Sequence, residues 1–179
     1  MNTRHIVWKC SALAAAAAGV WQLAASPAVA QGSKKATATF SVSDLAKRKG
    51  PNPPEGSTFM GVQDQPMVGE VQLPLHDARV YKFESKTTQG KTIPVNWAYA
   101  PGSGTYMWGT TTIKCAGTST IEQAGFAMQV HDDGTGAYIL GTSKCPVKSA
   151  YGCKFDSQAR ETDCGLCAWS ESELNCVRQ

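Results

Sequence analysis

Residues 92–114 read Thr-Ile-Pro-Val-Asn-Trp-Ala-Tyr-Ala-Pro-Gly-Ser-Gly-Thr-Tyr-Met-Trp-Gly-Thr-Thr-Thr-Ile-Lys, and this stretch decides the fold. Two runs rich in aromatic and β-branched residues, 92–99 and 105–114, flank a turn at Pro101 to Gly104. Apolar runs on either side of a Pro/Gly/Ser cluster predict an antiparallel hairpin. Outward from it, the same grammar recurs. Residues 67–73, 78–85, 123–131 and 137–144 are short apolar or alternating runs separated by Gly, Pro, Asp and Ser. No long apolar period of 3.6 residues runs through residues 31–179, which argues against a helical bundle. The expected fold is mainly β: a single antiparallel sandwich or barrel with a disulfide-rich C-terminal tail.

The stretch also has an echo. Gly102 to Thr110 and Gly134 to Thr142 repeat a Tyr followed by Gly-Thr at a spacing of 32, and Cys115 and Cys145 repeat at 30. Two copies are too few for a solenoid, but two like strands with 123–131 between them fit a meander. Cys115 and Cys145 would then leave one end of the sheet two strand spacings apart, about 9.6 Å. A disulfide needs Cα atoms within about 7 Å. The expectation is that Cys115 pairs with a cysteine beyond residue 150.

The N-terminus reads as an address. Arg4 and Lys9 precede an alanine-rich apolar stretch, 12–23. Ser26-Pro27 follows, and Ala28-Val29-Ala30 supplies the small residues of a cleavage site. This is the layout of a secretory signal peptide over residues 1–30, and the stretch is short of the roughly 20 apolar residues of a membrane anchor. Cleavage leaves residues 31–179, enough for one domain with its own core. Without Arg4 and Lys9 the 17 basic residues become 15 against 14 acidic, a net charge of +1. No field to attract nucleic acid remains, and no later segment can span a membrane. The expected organisation is a signal peptide (1–30), an N-terminal arm or linker with one strand and a short helical turn (31–64), a β domain (65–145) and a cysteine-rich tail packed on it (146–179).

Cysteine usage agrees with export to the periplasm or beyond. Cys10 is lost with the leader, leaving Cys115, Cys145, Cys153, Cys164, Cys167 and Cys176, an even set in an oxidising compartment. Fifteen connectivities are open to six cysteines. Three readings meet at Cys164-Gly165-Leu166-Cys167. A redox pair needs a thiolate at a helix start in a βαβ frame, and none is present. A zinc site from Cys153, Cys164, Cys167 and Cys176 lacks the second close pair. Structural disulfides fit the compartment and a tail too short for its own core. Ser170-x-x-Glu173 has capping-box spacing and predicts a short helix over 171–175.

Asp163-Cys164-Gly165-Leu166-Cys167-Ala168-Trp169 resembles the cysteine-tryptophan core of plexin-type (PSI) repeats over about the last 30 residues. The resemblance implies a spacer or interaction module and brings no catalytic residue with it. The spacing differs from that family's, and the tryptophan follows the CxxC here.

The candidate ligand-binding residues are Trp97, Tyr99, Tyr106 and Trp108. A register with Tyr99 opposite Tyr106 puts Trp97 opposite Trp108 and all four rings on one face, able to stack on a sugar or a partner's apolar surface. The competing reading makes that face the core. His131-Asp132-Asp133-Gly134 lacks the spaced ligands of an EF-hand and reads as a hairpin turn; His76-Asp77 reads as another turn. The two remaining histidines exclude a three-histidine metal site, and no Gly-x-Ser-x-Gly, phosphate loop, His-Glu-x-x-His or CxxCH motif occurs. No cofactor or metal is expected. The function expected is an exported, non-catalytic binding or structural module for a protein or glycan. The alternatives are a thiol–disulfide oxidoreductase using Cys164 and Cys167, and a small secreted hydrolase using His131 or His76.

Overall fold

The computed structural model describes residues 36–69, 71–115, 121–141 and 150–178. The segment expected to be a signal peptide (1–30), Cys145 and the end of the run predicted over 137–144 lie outside them. Among the described residues no helix is long and apolar enough to cross a membrane. Among the described residues the strands are β1 (Ala36–Ala38), β2 (Thr58–Gln63), β3 (Met67–Val68), β4 (Val71–Gln72), β5 (Ala78–Lys86), β6 (Thr92–Ala100), β7 (Gly104–Cys115), β8 (Ile121–Val130), β9 (Gly136–Gly141), β10 (Tyr151–Phe155), β11 (Glu161–Ser170) and β12 (Glu173–Arg178), with one helix, α1 (Val42–Ala46).

The protein is mainly β, and one ten-stranded antiparallel sheet takes nearly all of it. Its order is β12-β11-β10-β9-β8-β7-β6-β5-β2, with β1 pairing the far half of β7. From β5 to β12 each strand pairs with the next, the meander expected from the repeat. Among the described residues no barrel closes: β2 and β12 end the order. The run 67–73 forms a separate small hairpin, β3–β4, instead of one strand. The arm supplies β2 to the sheet, and the tail continues it with three strands.

Alternation along the strands builds a core on each face of this sheet. One face gathers Phe83, Val95, Trp97, Met107, Phe126, Met128, Tyr138 and Leu140. The arm covers it: Phe40 packs 4.7 Å from Phe126 and 5.4 Å from Tyr138, ring centre to ring centre, and Leu45 of α1 is buried beside them. Ser41 caps α1, its Oγ accepting from the Asp44 N–H at 3.3 Å, so five residues suffice to present Leu45. The other face gathers Val80, Ala98, Tyr106, Trp108, Ala127 and Ile139. Val68, Leu73 and Leu75 cover it from the β3–β4 segment, and Leu174 with the Cys167–Cys176 pair covers it from the tail.

The tail reaches that face because the sheet curls back. Ser172, at the β11–β12 turn, accepts from the Tyr106 hydroxyl at 2.7 Å and from Gln129 Nε2 at 3.0 Å. Gln129 Oε1 accepts from the Leu174 N–H at 2.9 Å. Ser170 faces Glu173 across this turn of Glu171 and Ser172, so residues 173–175 are strand and not part of the helix expected over 171–175 from the capping-box spacing. Cross-strand pairing of Trp169 with Leu174, and burial of Leu174, outweigh a local capping preference.

The disulfides follow the register. Cys153 lies opposite Cys164 and Cys167 opposite Cys176, and both pairs are bonded. All four cysteines beyond residue 150 are thereby used, so Cys115 does not reach one of them, contrary to expectation. The expectation fixed on the spacing of β7 and β9 and overlooked that facing strands in the tail could pair its cysteines among themselves. Gly152 makes room for this stapling: a Cβ there would run into the Tyr138 carbonyl and lie 2.8 Å from Cys167 Sγ.

Burial holds three tyrosines in the neutral form. Tyr138, Tyr106 and Tyr151 are each pushed above the ordinary tyrosine value, first by desolvation. Tyr138 is raised further because its hydroxyl donates to Glu161 Oε1 at 2.6 Å. The unfolded chain therefore releases these protons first. Their contribution to stability is complete below about pH 10 and is lost as pH rises from there towards the folded values. In an alkaline titration, phenolate absorbance from these rings is expected to rise together with loss of β circular dichroism. Ionisation of all the tyrosines with the sheet intact would contradict their burial.

Candidate functional site

The β6–β7 hairpin holds all four proposed binding residues, but in a register one residue away from the expected one. Ala100 pairs with Gly104 around a three-residue loop, so Tyr99 faces Thr105, Ala98 faces Tyr106, Trp97 faces Met107 and Asn96 faces Trp108. A one-residue slip moves a strand's side chains to the opposite face. Trp97 and Tyr99 therefore share one face, and Tyr106 and Trp108 the other. The turn residues set this register. Gly102 and Gly104 adopt φ of 84° and 96°, and a Cβ on Gly104 would strike the Val130 carbonyl. The rings do not form one platform.

Three of the four are core. Trp97 is 2% exposed, and its Nε1 donates to the Arg48 carbonyl at 2.9 Å, tying the arm to the sheet. Tyr106 is fully buried 5.7 Å from the Trp169 ring. Trp108 is 4% exposed, at the floor of a shallow groove beside Met67 and Val68. Only Tyr99 remains half-buried, its hydroxyl donating to Asp132 Oδ2 at 3.0 Å. That hydrogen bond raises the Tyr99 pKa, with burial and the carboxylate's charge adding to it.

A different aromatic row emerges from the sheet pairing. Phe59 on β2 faces Tyr81 on β5, which faces Trp97 on β6. The ring centres are 5.2 Å and 5.9 Å apart. Exposure grows along the row, from buried Trp97 through half-buried Tyr81 to Phe59 at 46%. The Arg79 guanidinium sits 4.5 Å over the Phe59 ring and donates to the Tyr81 hydroxyl at 3.3 Å. Beside the row lies a groove of about 350 Å³ lined by Tyr81, Trp97, Tyr99, Pro51, Pro53 and Arg79. Phe59 and Tyr81 were not singled out in the sequence. Tyr81 alternates with Phe83 inside a predicted strand, and Phe59-Met60-x-Val62 follows the proline-rich loop. That apolar run was the available signal.

The remaining candidates hold the fold together. Cys164 and Cys167 are bonded to Cys153 and Cys176, not to each other, so the proposed redox pair is split between two bridges. Sulfurs of Cys153 and Cys164 and a Glu161 oxygen lie within 4.8 Å of one another, but the sulfurs are spent on their disulfide, as are those of Cys167 and Cys176. The four-cysteine zinc set is thus not available. Asp133 accepts from the Thr135 N–H at 2.8 Å and its hydroxyl at 2.7 Å, and these bonds hold its carboxyl below the usual range. Both Asp132 and Asp133 thus brace the turn expected there. His131 closes the same turn through its backbone N–H, and exposed His76 contacts Asp64 at 3.0 Å.

The chain matches no known protein family, no curated protein and no solved structure.

Proposed function

We propose that this chain is an exported, periplasmic or secreted, non-catalytic binding module whose protein or glycan partner docks in the groove beside Tyr81 and Tyr99. The observation that carries this reading is the Phe59–Tyr81–Trp97 row, anchored in the core at one end and open to solvent at the other. Such a row gives a rigid apolar surface at little cost in side-chain entropy, with the Arg79 guanidinium and the tyrosine hydroxyls able to orient a ligand. The signal-type leader and the two stapled hairpins support the oxidising destination. The resemblance of the tail to plexin-type repeats points towards the same kind of role.

The test is a Tyr81→Ala/Tyr99→Ala double variant, screened against panels of soluble oligosaccharides and of immobilised extracellular and periplasmic proteins. A ligand of the native chain is expected to bind at least about tenfold more weakly to the variant, with the thermal midpoint lowered only modestly. A ligand held equally by both proteins would place binding elsewhere and defeat the reading.

A further inference from the structure

The two disulfides stand in different surroundings. Cys167 and Cys176 are both buried, and their sulfurs lie against the Tyr138 carbonyl at 3.8 and 4.0 Å. The Cys153–Cys164 bridge is lopsided. Cys153 is fully buried, whereas Cys164 is half-buried, its Sγ 3.8 Å from Oε2 of exposed Glu161. The Tyr138 hydroxyl stands on the inner side, 3.4 Å from Cys153 Sγ and 2.6 Å from Glu161 Oε1. One sulfur of this bridge thus reaches the surface beside a carboxylate, and the other sits in the core beside a hydrogen-bond donor.

We propose that the Cys153–Cys164 bridge is a thiol-exchange site, opened at Cys164 by a small thiol that carries a positive charge. Exchange begins when a thiolate attacks one sulfur of a disulfide, and access decides which sulfur that is. Of the four bonded cysteines, only Cys164 offers that access. The incoming sulfur bonds to Cys164 Sγ, and the Cys153–Cys164 bond breaks with its electron pair on Cys153 Sγ. The incoming sulfur is oxidised and Cys153 is reduced. The proton that the incoming thiol gives to water is replaced on Cys153 from water. Tyr138 favours the departure, because its hydroxyl can donate to Cys153 Sγ as charge gathers there, and a stabilised thiolate leaves faster. Glu161 sets the class of thiol: its carboxylate beside Cys164 repels an anionic thiol and attracts the ammonium of an aminothiol. Strands β10 and β11 pair on both sides of the bridge, at Tyr151–Leu166 and Phe155–Glu161, so the opened form keeps its sheet. The site is independent of the groove ligand proposed above.

The experiment exposes the native, disulfide-intact protein at low ionic strength to cysteamine or to mercaptoethanesulfonate, each in large excess, beside a Glu161→Gln variant. Samples are quenched with acid and the partner of each sulfur is assigned by peptide mass mapping. Rates are compared per thiolate, and circular dichroism is recorded throughout. Cys153–Cys164 is expected to open at least about tenfold faster than Cys167–Cys176, with the mixed disulfide on Cys164 and the sheet signal retained. Cysteamine is expected to outpace the sulfonate. Glutamine at 161 keeps an acceptor for Tyr138 but removes the charge, and should shrink that ratio at least about threefold. Equal opening of the two bridges, a mixed disulfide on Cys153, or loss of the sheet before the bridge opens would each overturn the proposal. So would a ratio unchanged in the variant.

Discussion

Replacing Trp97 with alanine lowers stability by about 3–5 kcal/mol, which for a chain of this size is a fall of roughly 10 °C in thermal midpoint. The magnitude follows from where the ring sits. Trp97 is buried between Tyr81 and Met107, and its indole N–H holds the Arg48 carbonyl. Truncation opens a cavity in that core and releases the segment that carries Pro51 and Pro53 over the groove. Urea unfolding with an unchanged m-value is the measurement. Tyr99→Phe is the contrast, since it removes only a surface hydrogen bond to Asp132 and stays within about 1 kcal/mol of the native protein. If Trp97→Ala instead unfolds at the native midpoint, the ring is not core and the one-residue register is wrong.

Gln129→Leu is the second large effect. Gln129 is 1% exposed and shares the two hydrogens of Nε2 among the Ser103 carbonyl, the Ser172 carbonyl and the Tyr106 hydroxyl, at 2.9, 3.0 and 3.2 Å. Its Oε1 takes the Leu174 N–H. One side chain therefore fastens the β11–β12 hairpin to the middle of the sheet. Leucine fills similar space but leaves the buried Leu174 N–H and the part-buried Ser103 carbonyl without this partner, each worth about 1–3 kcal/mol. A loss of at least about 3 kcal/mol is expected, with amide exchange accelerating first at Leu174 and along residues 161–178. Gln123→Leu, at an exposed position of the same strand, is expected to be near neutral. Slow exchange at Leu174 in the Gln129 variant would show that the disulfides alone dock the tail.

The strands of the hairpin and of the meander were legible because their signals are local. Alternation in residues 78–85 and 92–99 and turn residues at Pro101 to Gly104 act within a few positions, and β5, β6 and β7 appear where they point. The candidate site was less legible because it depends on parity. Tyr99 facing Thr105 in place of Tyr106 is a shift of one residue, set by two glycines at positive φ, and it separates four rings into two cores. The row that reaches solvent joins Phe59, Tyr81 and Trp97 from three strands, and no spacing along the chain reveals it. β2 itself was hidden because a proline-rich loop precedes it and a bulge interrupts its alternation.

The sequence by itself determined the class: alternating runs between Gly and Pro turns are satisfied by antiparallel pairing, and cysteines clustered beyond residue 150 pointed to disulfides there. Tertiary structure decided the rest. The pairing of Cys153 with Cys164 and of Cys167 with Cys176 depends on which residues stand opposite one another across β10, β11 and β12. Burial on both faces of one curled sheet decided that Trp97, Tyr106 and Trp108 are core while Phe59 is surface. Pattern along a strand fixes only that neighbours point to opposite sides; which side is covered, and by what, is fixed by long-range packing of the arm and the tail.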